Sequence, residues 1–250
     1  MKNIWITGAS SGIGKALALK FANEGWQVAA SARREDLLNK IAESNENIFS
    51  FPLDVTDSEK CKDVFEQIKN KLKSIDICFF STGTWDPKKE KEIDLDQMKK
   101  VMNVNFFGTL NCIKAVEKYF REKNSGHISI VSSIAGYRGL PNSTGYGASK
   151  AALNNLAESL YFDFGRYNVR VSLVSPGFIK TPMTDKNEFK MPFLKTAEFA
   201  ADKIYKGLIN GSSFEIDFPK ELTLILKFLK LLPDKLYFKI IRKLTKYQKR

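Results

Sequence analysis

Asn3-Ile-Trp-Ile-Thr-Gly-Ala-Ser-Ser-Gly-Ile-Gly14 is the stretch that decides the fold. A short apolar run suited to a strand is followed at once by a turn holding Gly8, Gly12 and Gly14. Lys15-Ala-Leu-Ala-Leu-Lys-Phe-Ala-Asn-Glu24 then reads as a helix, closed by Gly25. Strand, glycine-rich turn and helix in this order let the backbone approach a pyrophosphate, which the helix N-terminal amides bind. The spacing Thr7-Gly8-x-x-x-Gly12-Ile-Gly14 is more specific than a generic GxGxxG. An ordinary tight turn is the plain alternative.

Working outward, a second strand over 26–31 runs into Ala32-Arg33-Arg34. In dinucleotide folds an acidic side chain here binds the ribose 2′-hydroxyl, whereas arginine accepts a 2′-phosphate. The acid is missing and two guanidiniums are present, which favours NADP(H) over NAD(H). Arg33 is the expected contact; Arg34 is either a second one or a solvated residue at a helix start. A third strand over 48–53 leads to Asp54-Val55. Asp54 is placed to accept from an adenine amino group or to cap the next helix, although Asp57 and Ser58 suit the cap better.

A fourth strand over 75–80 ends in Ser81-Thr82-Gly83. Leu95 to Lys100 and a long helix including Asn105 and running to about Lys123 follow, then a strand over 126–132, a helix over 145–166 and a strand over 169–174. Repeated strand–helix units give a doubly wound parallel sheet with helices on both faces. With no repeat and no linker, the chain reads as one domain.

Between the last of these strands lies the second informative stretch, where Ser133, Tyr146 and Lys150 fall close together. Tyr146 and Lys150 are four apart and share a helix face. A phenol is a poor acid or base near neutral pH, and a neighbouring ammonium would lower its pKa.

Composition excludes several classes. The 250 residues, 43% hydrophobic, suffice for a single large domain. Cys61, Cys78 and Cys112 make no CxxC pair, and His127 is the one histidine, so no metal site is expected. His127 has no nucleophile signature beside it and reads as structural. The unpaired cysteines, a strand beginning almost at Met1 and the lack of a run of about 18 apolar residues suggest a cytoplasmic protein. Net charge is +12, but residues 219–250 hold ten cations against two anions, a net of +8, leaving +4 elsewhere. So local an excess argues against nucleic acid as partner.

Taken together, the Thr7-to-Gly14 motif, Asp54, Asn103-Val-Asn105, Ser133, Tyr146-x-x-x-Lys150 and Pro176-Gly177 resemble the short-chain dehydrogenase/reductase family over about residues 3–218. The resemblance implies a single Rossmann-like domain over 1–218 with about seven parallel strands, Phe214-Glu-Ile-Asp-Phe218 forming the seventh. It implies that Tyr146 is the acid/base, that Lys150 tunes it and holds the nicotinamide ribose, that Ser133 orients the substrate oxygen and that Asn105 holds a relay water. It also assigns Gly8, Ser10, Ser11, Gly12, Ile13, Gly14, Arg33, Asp54, Val55, Gly83, Tyr146, Lys150, Pro176, Gly177, Ile179 and Thr181 to the cofactor. The expected reaction is hydride transfer between NADP(H) and a carbonyl or secondary alcohol. The expected assembly is a homo-oligomer, dimer or tetramer. One departure stands out: the family's fourth strand commonly ends Asn-Asn-Ala-Gly, and here Phe80-Ser-Thr-Gly83 keeps only the glycine. No side-chain role carries over for Phe80, Ser81 or Thr82.

Residues 178–199, where the family builds its substrate lid, include Met183, Phe189, Met191, Phe193 and Leu194. Tyr137 and Leu140 are candidates for a further wall. Apolar walls suit a lipophilic ketone or aldehyde, and core packing is the alternative. Residues 219–250 read as an extension of the same domain, two amphipathic helices broken at Pro233 with basic stripes (Lys220, Lys227, Lys230, then Lys235, Lys239, Arg242, Lys243, Lys246) opposite leucine-rich arcs. An anionic membrane surface, a cap over the substrate pocket and a subunit interface all suit them. A non-catalytic, cofactor-binding sensor docking through this tail is the alternative to an enzyme.

Overall fold

The computed structural model describes residues 2–86, 93–211 and 213–245. Seven strands, β1 (Asn3–Thr7), β2 (Gln27–Ala32), β3 (Ile48–Pro52), β4 (Ile77–Phe80), β5 (Gly126–Val131), β6 (Val169–Pro176) and β7 (Glu215–Phe218), form one sheet in the order β3-β2-β1-β4-β5-β6-β7. Every neighbouring pair is parallel. Parallel neighbours require crossover connections, and the helices supply them. In chain order the described residues hold α1 (Gly12–Asn23), α2 (Glu35–Glu43), α3 (Ser58–Leu72), α4 (Leu95–Met102), α5 (Gly108–Lys123), α6 (Thr144–Gly165), α7 (Ala197–Ile209), α8 (Lys220–Lys230) and α9 (Asp234–Leu244). The sheet is the doubly wound, Rossmann-like one that the alternation predicts.

Successive side chains of a strand point to opposite faces, so each strand feeds two cores. Ile4, Ile6, Val28, Ala30, Ile77 and Phe79 join Leu17, Phe21, Leu38 and Ile204 from α1, α2 and α7. Their alternates Trp5, Ala29, Cys78 and Phe80 join Phe65, Val116, Phe120 and Leu153 from α3, α5 and α6. β4, Ile77-Cys-Phe-Phe80, is apolar on both faces and buried throughout, which suits its place as the middle strand of the seven.

Several boundaries differ from the sequence reading, among them these three. β4 starts at Ile77 rather than 75, because Asp76 instead accepts from the Asn3 amide at 2.9 Å. α1 begins at Gly12, inside the glycine motif. The long helix through Asn105 is split: α4 and α5 are joined by a π-helical turn, Asn103–Phe107. Such turns widen a helix locally and free backbone groups, and they recur at functional sites.

Candidate active site

The carboxyl ends of the strands open onto a cleft of about 520 Å³ where the sheet order reverses between β1 and β4. This switch point is where open α/β sheets bind ligands. The glycine turn forms its floor. Gly8 has φ of +72°, and a Cβ there would lie 2.9 Å from the Ser81 carbonyl oxygen. A Cβ on Gly14 would stand 2.4 Å from the Gly8 carbonyl oxygen. Only glycine permits both approaches, and they hold the α1 N-terminus against the strand ends.

Ser10, Ser11, Gly12 and Ile13 line this floor, with Arg33, Arg34, Asp54 and Val55 along the outer side. The Arg34 guanidinium donates to Ser10 Oγ at 2.9 Å and to Ser11 Oγ at 2.8 Å. It is therefore not merely a solvated residue at the start of α2. Arg33 lies 3.9 Å from Asp54, both side chains being exposed. Asp54 Oδ1 accepts from the Thr56 amide and hydroxyl, while Asp57 caps α3 by accepting from the Lys60 amide. Two guanidiniums, a helix N-terminus and a floor that any Cβ would fill fit a phosphate-bearing dinucleotide.

At the inner end of the cleft Ser133, Tyr146 and Lys150 converge. Ser133 follows β5, and its Oγ accepts from the Ala135 amide at 3.2 Å, which turns the chain away from the sheet. Ser132 Oγ donates to the Lys150 carbonyl at 3.0 Å and Lys150 Nζ donates to the Val131 carbonyl at 2.9 Å. The end of β5 and the first turns of α6 are stitched together by these bonds. Burial pushes the Lys150 ammonium down to about 8. The lowered Tyr146 pKa expected from its lysine neighbour is not found. Burial raises the phenol, and a hydrogen bond with Ser133 pulls the other way. Lys150 Nζ lies 5.6 Å from the centroid of the tyrosine ring and is bonded elsewhere. Desolvation of the neutral-favouring site outweighs a cation at that distance.

Asn105, in the π-helical turn, stands behind this cluster rather than on the cleft wall. Its Oδ1 accepts from the Thr84 amide at 2.7 Å, and its Nδ2 donates to the Thr84 carbonyl and to Ser149 Oγ. Fully buried, it ties the loop after β4 to α6. Gly83 faces it: a Cβ there would lie 3.6 Å from Asn105 Oδ1 and 3.7 Å from Lys150 Nζ.

Two contributors escape the sequence reading. Ser81 Oγ donates to the Thr7 carbonyl at 2.6 Å, and its amide donates to Thr7 Oγ1 at 3.2 Å. It locks β4 to β1 at the place where the family asparagine is missing. Trp85 stacks on Tyr146, ring centroids 5.1 Å apart and 27° between planes, with its Nε1 buried and without a hydrogen-bond partner among the described residues. Nothing in the local pattern marks a tryptophan five residues past a strand as a neighbour of a tyrosine sixty residues on.

On the opposite wall Pro176, Gly177, Ile179 and Thr181 line the cleft, joined by Met183 and Thr184. Thr184 organises this turn: its Oγ1 donates to the Ile179 carbonyl at 2.6 Å, and the Thr181 amide donates to it at 2.9 Å. Phe189, Phe193 and Leu194 of the expected lid are exposed, so core packing does not account for them. Tyr137 and Leu140, expected as a further wall, turn away from the cleft. Tyr137 Oη donates to Glu215 at 2.7 Å, and Leu140 packs against Leu229, Tyr237 and Ile241. His127 is paired with Ser172 at 2.8 Å, and burial pushes it down to about 3, so it stays neutral. The three cysteines are buried and free.

Comparison with known proteins agrees with this geometry. The short chain dehydrogenase family model matches residues 2–191. An uncharacterized oxidoreductase of Myxococcus xanthus is 32% identical over 96% of both chains. A 3-oxoacyl-(acyl-carrier-protein) reductase of Thermotoga maritima is 38% identical, covering 72% of this chain and 75% of its own. Among solved structures, ElxO with NADP bound superposes with a TM-score of 0.76 at 29% identity, covering 86% of this chain and 97% of its own. The chain belongs to the short-chain dehydrogenase/reductase family and is an oxidoreductase of that family.

Proposed function

We propose that the protein transfers hydride between NADP(H) and a carbonyl or secondary alcohol of a lipophilic substrate. The observation that carries this is the convergence of Ser133, Tyr146 and Lys150 at the inner end of the glycine-floored cleft. A bound nicotinamide would supply or accept the hydride. In reduction the substrate oxygen gains negative charge, and the Tyr146 phenol, protonated at neutral pH, donates its proton there. Ser133 hydrogen-bonds that phenol and orients the substrate oxygen beside it. Lys150 holds the ribose side of the site with its buried ammonium, and Asn105 fixes the loop behind them.

NADP(H) is favoured over NAD(H) by Arg33 and Arg34, which stand on the outer cleft wall with no acid beyond Asp54 to meet a free 2′-hydroxyl. Gly8 to Gly14 hold the pyrophosphate, Asp54 and Val55 the adenine, Gly83 the adenosine side, and Pro176, Gly177, Ile179 and Thr181 the nicotinamide. Met183 at the cleft and the exposed Phe189, Phe193 and Leu194 favour an apolar substrate, and an acyl chain bearing a 3-oxo group falls in that class. Its 3-oxoacyl reductase relative supports including such chains among the candidates. Residues 219–250 complete the same domain, and exposed Phe107, Tyr161 and Phe162 offer a face for a second copy.

The test is nucleotide oxidation across a panel of ketones, aldehydes and 3-oxoacyl thioesters, with NADPH and NADH compared. Tyr146→Phe is expected to lower turnover by about a thousandfold while nucleotide titration is unchanged. Full activity in that variant, or no turnover of any carbonyl by the native protein, rejects the reading.

A second reading concerns the tail. No helix among the described residues is long and apolar enough to cross a membrane. Yet Leu224, Ile225 and Phe228 of α8 and Leu231 at its C-terminal cap are exposed at helical spacing, and Lys230, Lys235, Lys239, Arg242 and Lys243 are exposed around them. Lys246, Lys249 and Arg250 lie outside the described residues. An apolar stripe among cations complements an anionic lipid surface better than a second copy carrying the same charges. Binding to anionic but not zwitterionic vesicles, weakened by salt, is the expected outcome for a cytoplasmic protein that docks peripherally; equal binding to neither removes the reading.

A further inference from the structure

The loop between Ser133 and Tyr146 is held at its two ends by different partners. Its first residues belong to α6: a Cβ on Gly136 would lie 2.8 Å from the Lys150 carbonyl carbon, and Asn154 Nδ2 donates to the Gly136 carbonyl at 2.9 Å. The next four residues belong to the C-terminal helices. Tyr137 Oη donates to Glu215, whose other oxygen takes Lys227 of α8 at 2.7 Å. Gly139 accepts from Tyr237 Oη of α9 at 2.7 Å. Leu140 packs on Leu229, Tyr237 and Ile241.

Arg138 is the centre of this second set. Its Nη1 donates to the Leu232 carbonyl at 2.8 Å and the Lys230 carbonyl at 3.2 Å, with the Leu229 carbonyl at 3.5 Å. These carbonyls lie at and just past the end of α8, where helix carbonyls run short of intrahelical donors, although Leu229 also accepts from the Leu232 amide, and a cation there meets the negative end of the helix dipole. Its Nη2 donates to Asp234 at the start of α9, and the guanidinium lies 4.0 Å over the Tyr237 ring. One planar fork from the loop thus closes α8, opens α9 and stacks on the buried ring that holds Gly139.

We infer that Arg138 is a positioning residue: it seats α8 and α9 on residues 137–140 and so fixes the chain that links Ser133 to Tyr146. The tail is then part of the catalytic scaffold, and loosening its hold on residues 137–140 lowers turnover without weakening nucleotide binding, since none of these contacts reaches the glycine floor and the packing of Leu222 of α8 beside Gly177 does not involve Arg138. The rate effect rests on the proposed reductase activity; the loop ordering does not.

The experiment is hydrogen exchange of the full chain, with nucleotide titration and carbonyl turnover, for Arg138→Ala, Arg138→Lys and Tyr237→Phe. In Arg138→Ala, exchange over 134–143 is expected to rise about tenfold and kcat to fall about tenfold, with nucleotide affinity unchanged. Arg138→Lys is expected to recover only part of both, because an ammonium cannot serve the carbonyls and Asp234 together. Tyr237→Phe keeps the ring and removes the bond to Gly139, so a smaller rise confined to 137–143 is expected even if Arg138→Ala fails to fold. Faster exchange in α8 and α9 with 134–143 unchanged reduces Arg138 to a helix cap and overturns the inference. So does unchanged kcat in an active enzyme whose loop has loosened. A native protein that reduces no carbonyl sinks the proposed function alone, and the exchange data still decide this one.

Discussion

The two walls of the cleft are built differently. The nucleotide side, β1 to α1 with the ends of β2 and β3, is made of backbone: Gly8 and Gly14 approach other backbone within hard-contact limits, and α1 begins inside the motif. The substrate side depends on side chains brought from far apart: Trp85 on Tyr146, and behind the wall Asn105 on Ser149 and Arg138 on α8 and α9. Backbone geometry leaves glycines as its trace, so the first wall can be read from a short stretch. Side-chain contacts across the sheet leave no such trace.

The largest expected effect on nucleotide binding falls on the backbone wall. Gly14→Ala places a Cβ 2.4 Å from the Gly8 carbonyl oxygen. Backbone cannot give way as a side chain can, so nucleotide affinity should fall about a hundredfold with far-UV circular dichroism retained. Native affinity in that variant would mean the floor is not rigid, and the contrast between the walls would collapse.

The outer edge of the same wall depends on side chains. Arg34→Ala removes two bonds to the serines of the glycine turn and a cation facing the cleft. NADPH affinity is expected to fall about tenfold and NADH affinity less than about twofold, by titration. Arg33→Ala is expected to act in the same direction. Equal losses for both nucleotides would remove the assignment of the 2′-phosphate to this pair.

On the other wall, Trp85→Ala strips the stacked face from the phenol, which should cost about fivefold in kcat and change the ranking of bulky against small ketones. Nucleotide affinity should not move. An unchanged ranking would make Trp85 a packing residue only.

The smallest effect is on pH. Lys150 is charged below about 8 and loses its proton as pH rises through that value. If the ammonium serves the reaction, kcat/KM for reduction should be level at pH 6–7 and about half as large near pH 8. The Tyr146 phenol, raised by burial, remains protonated over this window and adds no second decline. A level profile to pH 9.5 would detach Lys150 from the chemistry.

Element by element, the alternation of strands and helices was legible because each β-strand and its crossover helix carry their own periodicity. The strand order is not written in any one segment: the resemblance supplies seven parallel strands, and the fold supplies their order. Cleft residues from Gly8 to Thr181 were found by motif and do line one cavity. Tyr137 and Leu140 were misread as a wall because adjacency to Ser133 in the chain says nothing about which way a loop turns. The lysine–tyrosine pair was read as a charge effect at helical spacing. In the fold the same spacing buries both groups, and desolvation governs.

By itself the sequence determined the class of fold, the glycine-rich turn and the pairing of Tyr146 with Lys150, since each rests on local geometry: a positive φ, a strand end, an i to i+4 step. Only the tertiary structure decided that Trp85 covers Tyr146, that Ser81 ties β4 to β1 and that Arg138 binds α8 and α9 to the loop between Ser133 and Tyr146. Those contacts join residues separated by tens of positions, and such pairings are selected by packing the whole chain at once.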